Sequence, residues 1–222
     1  MGTDAPQSWD AEYRAGRYLD EEPVEFVHEI LACAAGVELP RARGLYIGCG
    51  NGRNYLPLVA GGLDLIGLDI SEVALEQLAA RAPARSADLV RGDLTTLPDD
   101  AEFSIVVGIQ VFQHGREREA HAHIAEALRR VLPGGLFCLR VNATGTDVAH
   151  RYRIAERNSD GGFTVEYLSG PKEGLAIHFF AEAELARILS SAEVLLPLRL
   201  HATQRQPPGT GRWLQWEGIW RR

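Results

Sequence analysis

Three glycines, two carboxylates and two histidines are the residues of this 222-residue chain whose types and spacing point to chemistry. Gly48, Gly50 and Gly52 alternate in GLYIGCGNGRNYLPL, directly behind the apolar run Leu45-Tyr46-Ile47. Bare backbone at a strand end lets main-chain N–H groups approach a ligand closely, and the start of the next helix favours a negatively charged group. Asp69 closes LIGLD nineteen residues beyond Gly50, where a carboxylate accepts from the two hydroxyls of a ribose. Asp93 follows LVRG, one strand further out, where a carboxylate accepts from an amino group such as that of adenine. His114, in VFQHG beyond the fourth strand, is the first candidate for a general base, and His178 the second. A histidine that caps or solvates the next helix is the plainer reading of His114, and turn-forming or helix-capping carboxylates are the plainer readings of Asp93 and Asp69.

Two other glycine-loop ligands fit poorly. A dinucleotide fingerprint requires a third small residue where helix and strand pack closely, and that position holds Arg53. No Lys-Ser/Thr pair follows the loop, so a phosphate-binding P-loop is also excluded.

The elements that must position these residues alternate at the rhythm of βαβ units from residue 23 to 142. The pattern predicts a helix over 23–36, opening with Pro23 and stopping at Gly36, then a strand over 44–48 and a helix over 52–60 closed by Gly61-Gly62. LDLIGLD, ADLVRGD and EFSIVVGIQ read as the next three strands, with Ser71 capping the helix EVALEQLAARA. Their near-continuous Val, Ile and Leu content suits parallel strands covered on both faces. A helix over 116–132, with Ile124, Leu128 and Val131 on one stripe, is broken by Pro133-Gly134-Gly135 before the strand LFCLRVN. Residues 143–180 lose this regularity and give only hairpin-like hints in FTVEYLS and LAIHF. AEAELARILSSA reads as a helix. EVLLPLRLHAT and RWLQWEGIW read as two closing strands joined by a turn through Pro207-Pro208-Gly209. The expected architecture is a three-layer α/β sandwich around a mostly parallel seven-stranded sheet, with one antiparallel strand near its edge and an inserted lid.

Composition sets limits on partners. A formal charge of −7 argues against a nucleic-acid surface, which needs a concentrated basic face. Cys33, Cys49 and Cys138 are odd in number and widely spaced, so the sequence indicates neither disulfides nor a metal site. The polar N-terminal stretch and the lack of a long apolar run lead us to expect a cytoplasmic protein without a membrane partner. In the N-terminal YRAGRY and the later HRYRIAER, arginines interleave with tyrosines, a pattern that clamps a carboxylate or stacks on an aromatic ring. Trp213, Trp216 and Trp220 read as core. His121 and His123 lie two apart on a helix and read as exposed, pointing different ways.

LYIGCGNGRN, LIGLDIS, VRGDLTTLP, FSIVVGIQVFQH and LRRVLPGGLF, in that order and spacing over roughly residues 40–142, resemble the motifs of class I S-adenosylmethionine-dependent methyltransferases. The tail HFFAEAELARILSSA is similar to the family's late helix, and GNGRNYL with WDAEY is similar to tellurite- and thiopurine-type small-molecule members. The resemblance implies a Rossmann-like fold and S-adenosylmethionine as cofactor. It implies that Gly48, Cys49, Gly50 and Gly52, with Asn54, hold the methionine end. Asp69 and Ile70 then serve the ribose, Asp93 and Leu94 the adenine, and Gln110 the floor beneath. One position departs: where the family carries an acidic residue two before the first glycine, this chain has Tyr46, so either Tyr46 or an N-terminal side chain takes over the cofactor's amino group, or cofactor binding is weaker. For the acceptor we expect Tyr13, Tyr18, Arg151, Tyr152 and Phe179 as contacts, His114 or His178 as base, and no metal.

One domain is expected, divided into a helical cap (1–40), a cofactor core (41–142), a substrate lid (143–180) and a closing helix and hairpin (181–222). The expected activity is methyl transfer to a small acceptor, aromatic or anionic, by a monomer or homodimer. A cofactor-binding protein without turnover and a nicotinamide-dependent oxidoreductase are the alternatives.

Overall fold

The computed structural model describes residues 5–19, 21–205 and 209–222. In chain order its elements are α1 (Ala5–Arg14), α2 (Phe26–Ala35), β1 (Gly44–Ile47), α3 (Tyr55–Ala60), β2 (Leu65–Asp69), α4 (Glu72–Arg81), β3 (Leu89–Arg91), β4 (Phe103–Ile109), α5 (Glu117–Arg129), β5 (Val131–Asn142), β6 (Tyr152–Arg157), β7 (Phe163–Tyr167), β8 (Ala176–Phe179), α6 (Glu182–Ile188), β9 (Glu193–Gln204) and β10 (Arg212–Arg221). Seven strands make the main sheet in the order β3-β2-β1-β4-β5-β10-β9. β1 to β5 pair in parallel, and β10 enters antiparallel to both β5 and β9. The sheet is thus mostly parallel with one reversed strand beside its edge, as expected. The order changes direction at β1, so the glycine loop after it sits at the switch point where such sheets bind ligands.

Alternation within β4 explains the layers. Ile105, Val107 and Ile109 face a core built with Phe26, Val27 and Ile30 of α2, Leu58 of α3 and Leu78 of α4. Val106 faces the opposite core, with Ala120, Ile124 and Ala127 of α5 and Leu185 of α6. Every residue of β4 is buried, which is why its sequence is a continuous apolar run. Ser71 caps α4 as expected, its Oγ accepting from Ala74 N at 3.1 Å.

Several boundaries differ from the sequence reading. α2 starts at Phe26, three residues after Pro23, because Val24 N donates to Asn54 Oδ1 at 3.0 Å and ties that segment to the glycine loop. Pro133-Gly134-Gly135 does not precede the fifth strand but lies inside β5. The pairing with β4 jumps there from Phe103↔Val131 to Ile105↔Leu136, a bulge that uses the positive φ of Gly134. Residues 143–180 contain a second, antiparallel sheet, β6-β7-β8. The sequence conceals β6 because its burial is low and Arg153, Glu156 and Arg157 hide the alternation. The predicted turn through Pro207-Pro208 lies outside the described residues. Among the described residues no helix is long and apolar enough to cross a membrane.

Candidate functional site

The loop after β1 turns on three glycines in the left-handed region, Gly48 (φ 70°), Gly50 (φ 54°) and Gly52 (φ 92°), a conformation that only glycine adopts cheaply three times in five residues. Gly50 N donates to Asp69 Oδ2 at 2.7 Å, and Ser71 N donates to Asp69 Oδ1 at 2.8 Å. Asp69 therefore joins the loop to the start of α4, and each of its oxygens keeps a lone pair. Burial raises its carboxyl pKa, while the Ser71, Gly50 and Ile70 amides work against that rise. Over this corner lies α1. Asp10 Oδ1 accepts from Ser71 Oγ at 2.6 Å and from Val73 N at 3.3 Å, and the Tyr13 hydroxyl occupies the space a side chain at Gly50 would need.

Between the loop, α1 and the second sheet lies a cavity of about 250 Å³. Its floor is Tyr46, Gly48, Cys49, Gly50, Asn54 and Gln110. Gln110 and Tyr18, the two non-glycine residues with positive φ among the described residues, both line it. Backbone strain of this kind concentrates at working sites. Two buried acceptor atoms in its wall, Gln113 Oε1 and Glu12 Oε2, have no hydrogen-bond donor; Arg17 Nε lies 3.0 Å from the latter without hydrogen-bond alignment. A cradle of exposed main chain with unsatisfied acceptors fits a ligand that carries an ammonium group at one end.

The remaining wall is basic and aromatic. Arg17, Arg53, Lys172 and Arg205 line the cavity with Trp9, Tyr18, Phe179 and Trp213. Lys172 Nζ stands 4.1 Å above the Trp9 ring. Burial pushes its pKa down to about 8, Glu12 pulling it up and Arg17 down. His114 stands edge-on to Trp9, ring centroids 5.2 Å apart. Burial, then the Lys172 charge, push its pKa down to about 3 against the opposing pull of the Gln110 carbonyl, so the imidazole is neutral at physiological pH.

Of the expected acceptor contacts, Tyr13, Tyr18 and Phe179 line the cavity, while Arg151 and Tyr152 are exposed and do not. β6 is the outer strand of the second sheet, so its side chains lie beyond β7 and β8. His178 does not reach the cavity either. It points to the far side of β8 from Phe179, fully buried, with both ring nitrogens engaged. His121 is not a free surface histidine: its Nε2 meets Glu184 Oε1. Asp93 is exposed and its Oδ1 caps the short 3-10 turn at 94–96 by accepting from Thr95 N at 2.9 Å, while Leu94 packs in the core. Trp213, read as core, lines the cavity and donates from Nε1 to Asn142 Oδ1 at 2.8 Å. Sequence reasoning missed Glu12, Gln113 and Lys172; the one visible signal was that Lys172 is the chain's single lysine.

Residues 45–135 match the family model described as "Methyltransferase domain". No curated protein matches the chain in sequence. Solved structures share its fold over nearly the whole length. The 1,6-didemethyltoxoflavin-N1-methyltransferase of Burkholderia thailandensis, solved with 1,6-didemethyltoxoflavin and S-adenosylhomocysteine, is 18% identical with a TM-score of 0.64, covering 98% of this chain and 92% of its own. The CcbJ methyltransferase of Streptomyces caelestis is 17% identical with a TM-score of 0.62, covering 97% and 99%. TehB from Haemophilus influenzae is 15% identical with a TM-score of 0.62, covering 96% of this chain and 67% of its own.

Proposed function

We propose that the chain is a class I S-adenosylmethionine-dependent methyltransferase that methylates a small, planar, anionic organic acceptor lodged between the glycine loop and the second sheet. The observation that carries this reading is the composition of the cavity wall, in which four cationic side chains and several aromatic rings stand against the single carboxylate of Glu12. When bound, S-adenosylmethionine supplies an electrophilic methyl group on a sulfonium that is its own leaving group.

The protein's share is binding, alignment and exclusion of water. Gly48, Cys49, Gly50 and Gly52 present main chain to the amino-acid end. Glu12 Oε2 and Gln113 Oε1 take its ammonium, which makes Glu12 the N-terminal substitute for the acidic residue absent at Tyr46. Asp69 holds the ribose through its two remaining lone pairs, and Ile70, Asp93 and Leu94 border the adenine. Residues 143–180 act as a lid over the acceptor. Arg17, Arg53, Arg205 and Lys172 bind its negative group, and Trp9, Phe179 and Trp213 cover its faces. The neutral His114 ring accepts a hydrogen bond from the acceptor's hydroxyl or amine and so orients its lone pair.

The test is transfer of a radiolabelled methyl group from S-adenosylmethionine to matched acceptors, aromatic carboxylates or phenolates against their neutral amides or ethers. The charged member of each pair is expected to be the better substrate. Preferential methylation of the neutral members, or thermal stabilisation by a nicotinamide dinucleotide but not by S-adenosylhomocysteine, would overturn the proposal.

A further inference from the structure

Away from the cavity, α5, β8 and α6 bring His121, His178 and Glu184 together. His121 Nε2 lies 2.5 Å and His178 Nε2 2.9 Å from the same atom, Glu184 Oε1. Asn158 Nδ2 reaches that oxygen too, at 2.8 Å, so three nitrogens converge on an atom with two lone pairs.

Thr164 Oγ1 lies 2.9 Å from His178 Nδ1, so both ring nitrogens of His178 are engaged and its Nε2 is aimed at Glu184 Oε1. Glu184 cannot swing away, because its Oε2 accepts from Ala181 N at 3.1 Å. Gly162 keeps the space open: a Cβ there would lie 2.2 Å from Glu184 Oε2. His178 and Glu184 are fully buried, whereas the His121 side chain is 23% exposed and leaves a path to water.

We propose that His121 Nε2, His178 Nε2 and Glu184 Oε1 form a three-ligand site for a divalent transition-metal cation of the zinc class, completed by a water on the solvent side of His121. Two imidazoles and a carboxylate suit such a cation. Bonds of about 2.0–2.2 Å in tetrahedral geometry set neighbouring ligand atoms roughly 3.3 Å apart, so these contacts need to open by less than about 1 Å. The supporting hydrogen bonds already have the arrangement metal ligands require: Thr164 orients one imidazole, Ala181 N orients the carboxylate, and Asn158 fills the second lone pair of Oε1. The cation pins β8 to α5 and α6. Because Phe179 of β8 faces the cavity, the pin also steadies the acceptor wall.

The test uses the full chain, stripped with a chelator and titrated with Zn²⁺ against a chromophoric competitor, and separately loaded with Co²⁺. Wild type and His123→Gln, a change on the exposed side of the same helix, are expected to bind one tight equivalent and to show the visible band of low-coordinate Co²⁺. His121→Gln and Glu184→Gln are expected to lose both. Absence of tight Zn²⁺ uptake by wild type would overturn the proposal whether or not the variants fold. Uptake equal in wild type and folded His121→Gln would overturn it as well, and would put a proton, not a metal ion, between His178 and Glu184. Neither result bears on methyl transfer, which is read independently.

Discussion

Asp69 shows how one side chain serves fold and ligand together. Its two oxygens hold the Gly50 and Ser71 amides, and the proposed function assigns its remaining lone pairs to the ribose. Asp69→Ala is expected to weaken S-adenosylmethionine binding by about 1.5–3 kcal/mol, roughly tenfold to a hundredfold, the range for hydrogen bonds to a charged group. Unchanged affinity by calorimetry would remove Asp69 from the site. Lys172 gives a pH signature. With a pKa near 8 its ammonium is charged below that pH and neutral above it, so attraction for an anionic acceptor is present at pH 7 and lost as pH rises through about 8. The acceptor KM is expected to climb over pH 7–9.5 in wild type and to stay flat in Lys172→Met. For His114, neutral throughout this range, His114→Gln is expected to lower kcat by about tenfold to a hundredfold, at or below the usual share of a positioned base, with no inflection near pH 6.5 in the wild-type profile.

At the level of elements, α1 is tied to α4 by side-chain hydrogen bonds. Asp10 caps the first turn of α4 from another helix, and Gln77 Nε2 donates to Tyr13 O at 3.0 Å. Losing a cap of this type costs about 1 kcal/mol. Asp10→Ala is therefore expected to raise hydrogen exchange in α1 and the first turn of α4 while leaving β4 unchanged. Uniform protection in both proteins would mean that other contacts hold α1. The same level explains which elements were legible in the sequence. β4 announces itself as an unbroken apolar run and α5 by buried residues at helical spacing. β6 does not, since this outer, poorly buried strand carries charged residues at three of its six positions, which break the alternation.

For the molecule as a whole, the join between the parallel strands and the closing hairpin rests partly on charge. Arg140 of β5 and Glu217 of β10 are both about 4% exposed at the side chain and lie 2.9 Å apart, while Arg140 Nη2 also donates to Gln215 Oε1 at 2.5 Å. Burial lowers the Arg140 pKa and Glu217 opposes that fall. Removing one partner of a buried pair strands the other, so Glu217→Gln is expected to destabilise the fold by about 3–5 kcal/mol in urea unfolding. A loss under about 1 kcal/mol would show that water or Gln215 compensates Arg140 instead.

The sequence by itself determined the sheet, the glycine loop and the position of Asp69, because strand periodicity, left-handed glycines and the distance to the next strand end are properties of neighbouring residues. Tertiary structure alone decided that Glu12, Gln113, Lys172 and Trp213 face one cavity, that Arg151 and Tyr152 do not, and that His121, His178 and Glu184 meet at one oxygen. Those groups stand many residues apart in the chain, and no local period encodes which side of a late strand or an N-terminal helix will turn toward a distant loop. Only the packing of the layers brings them within bonding distance.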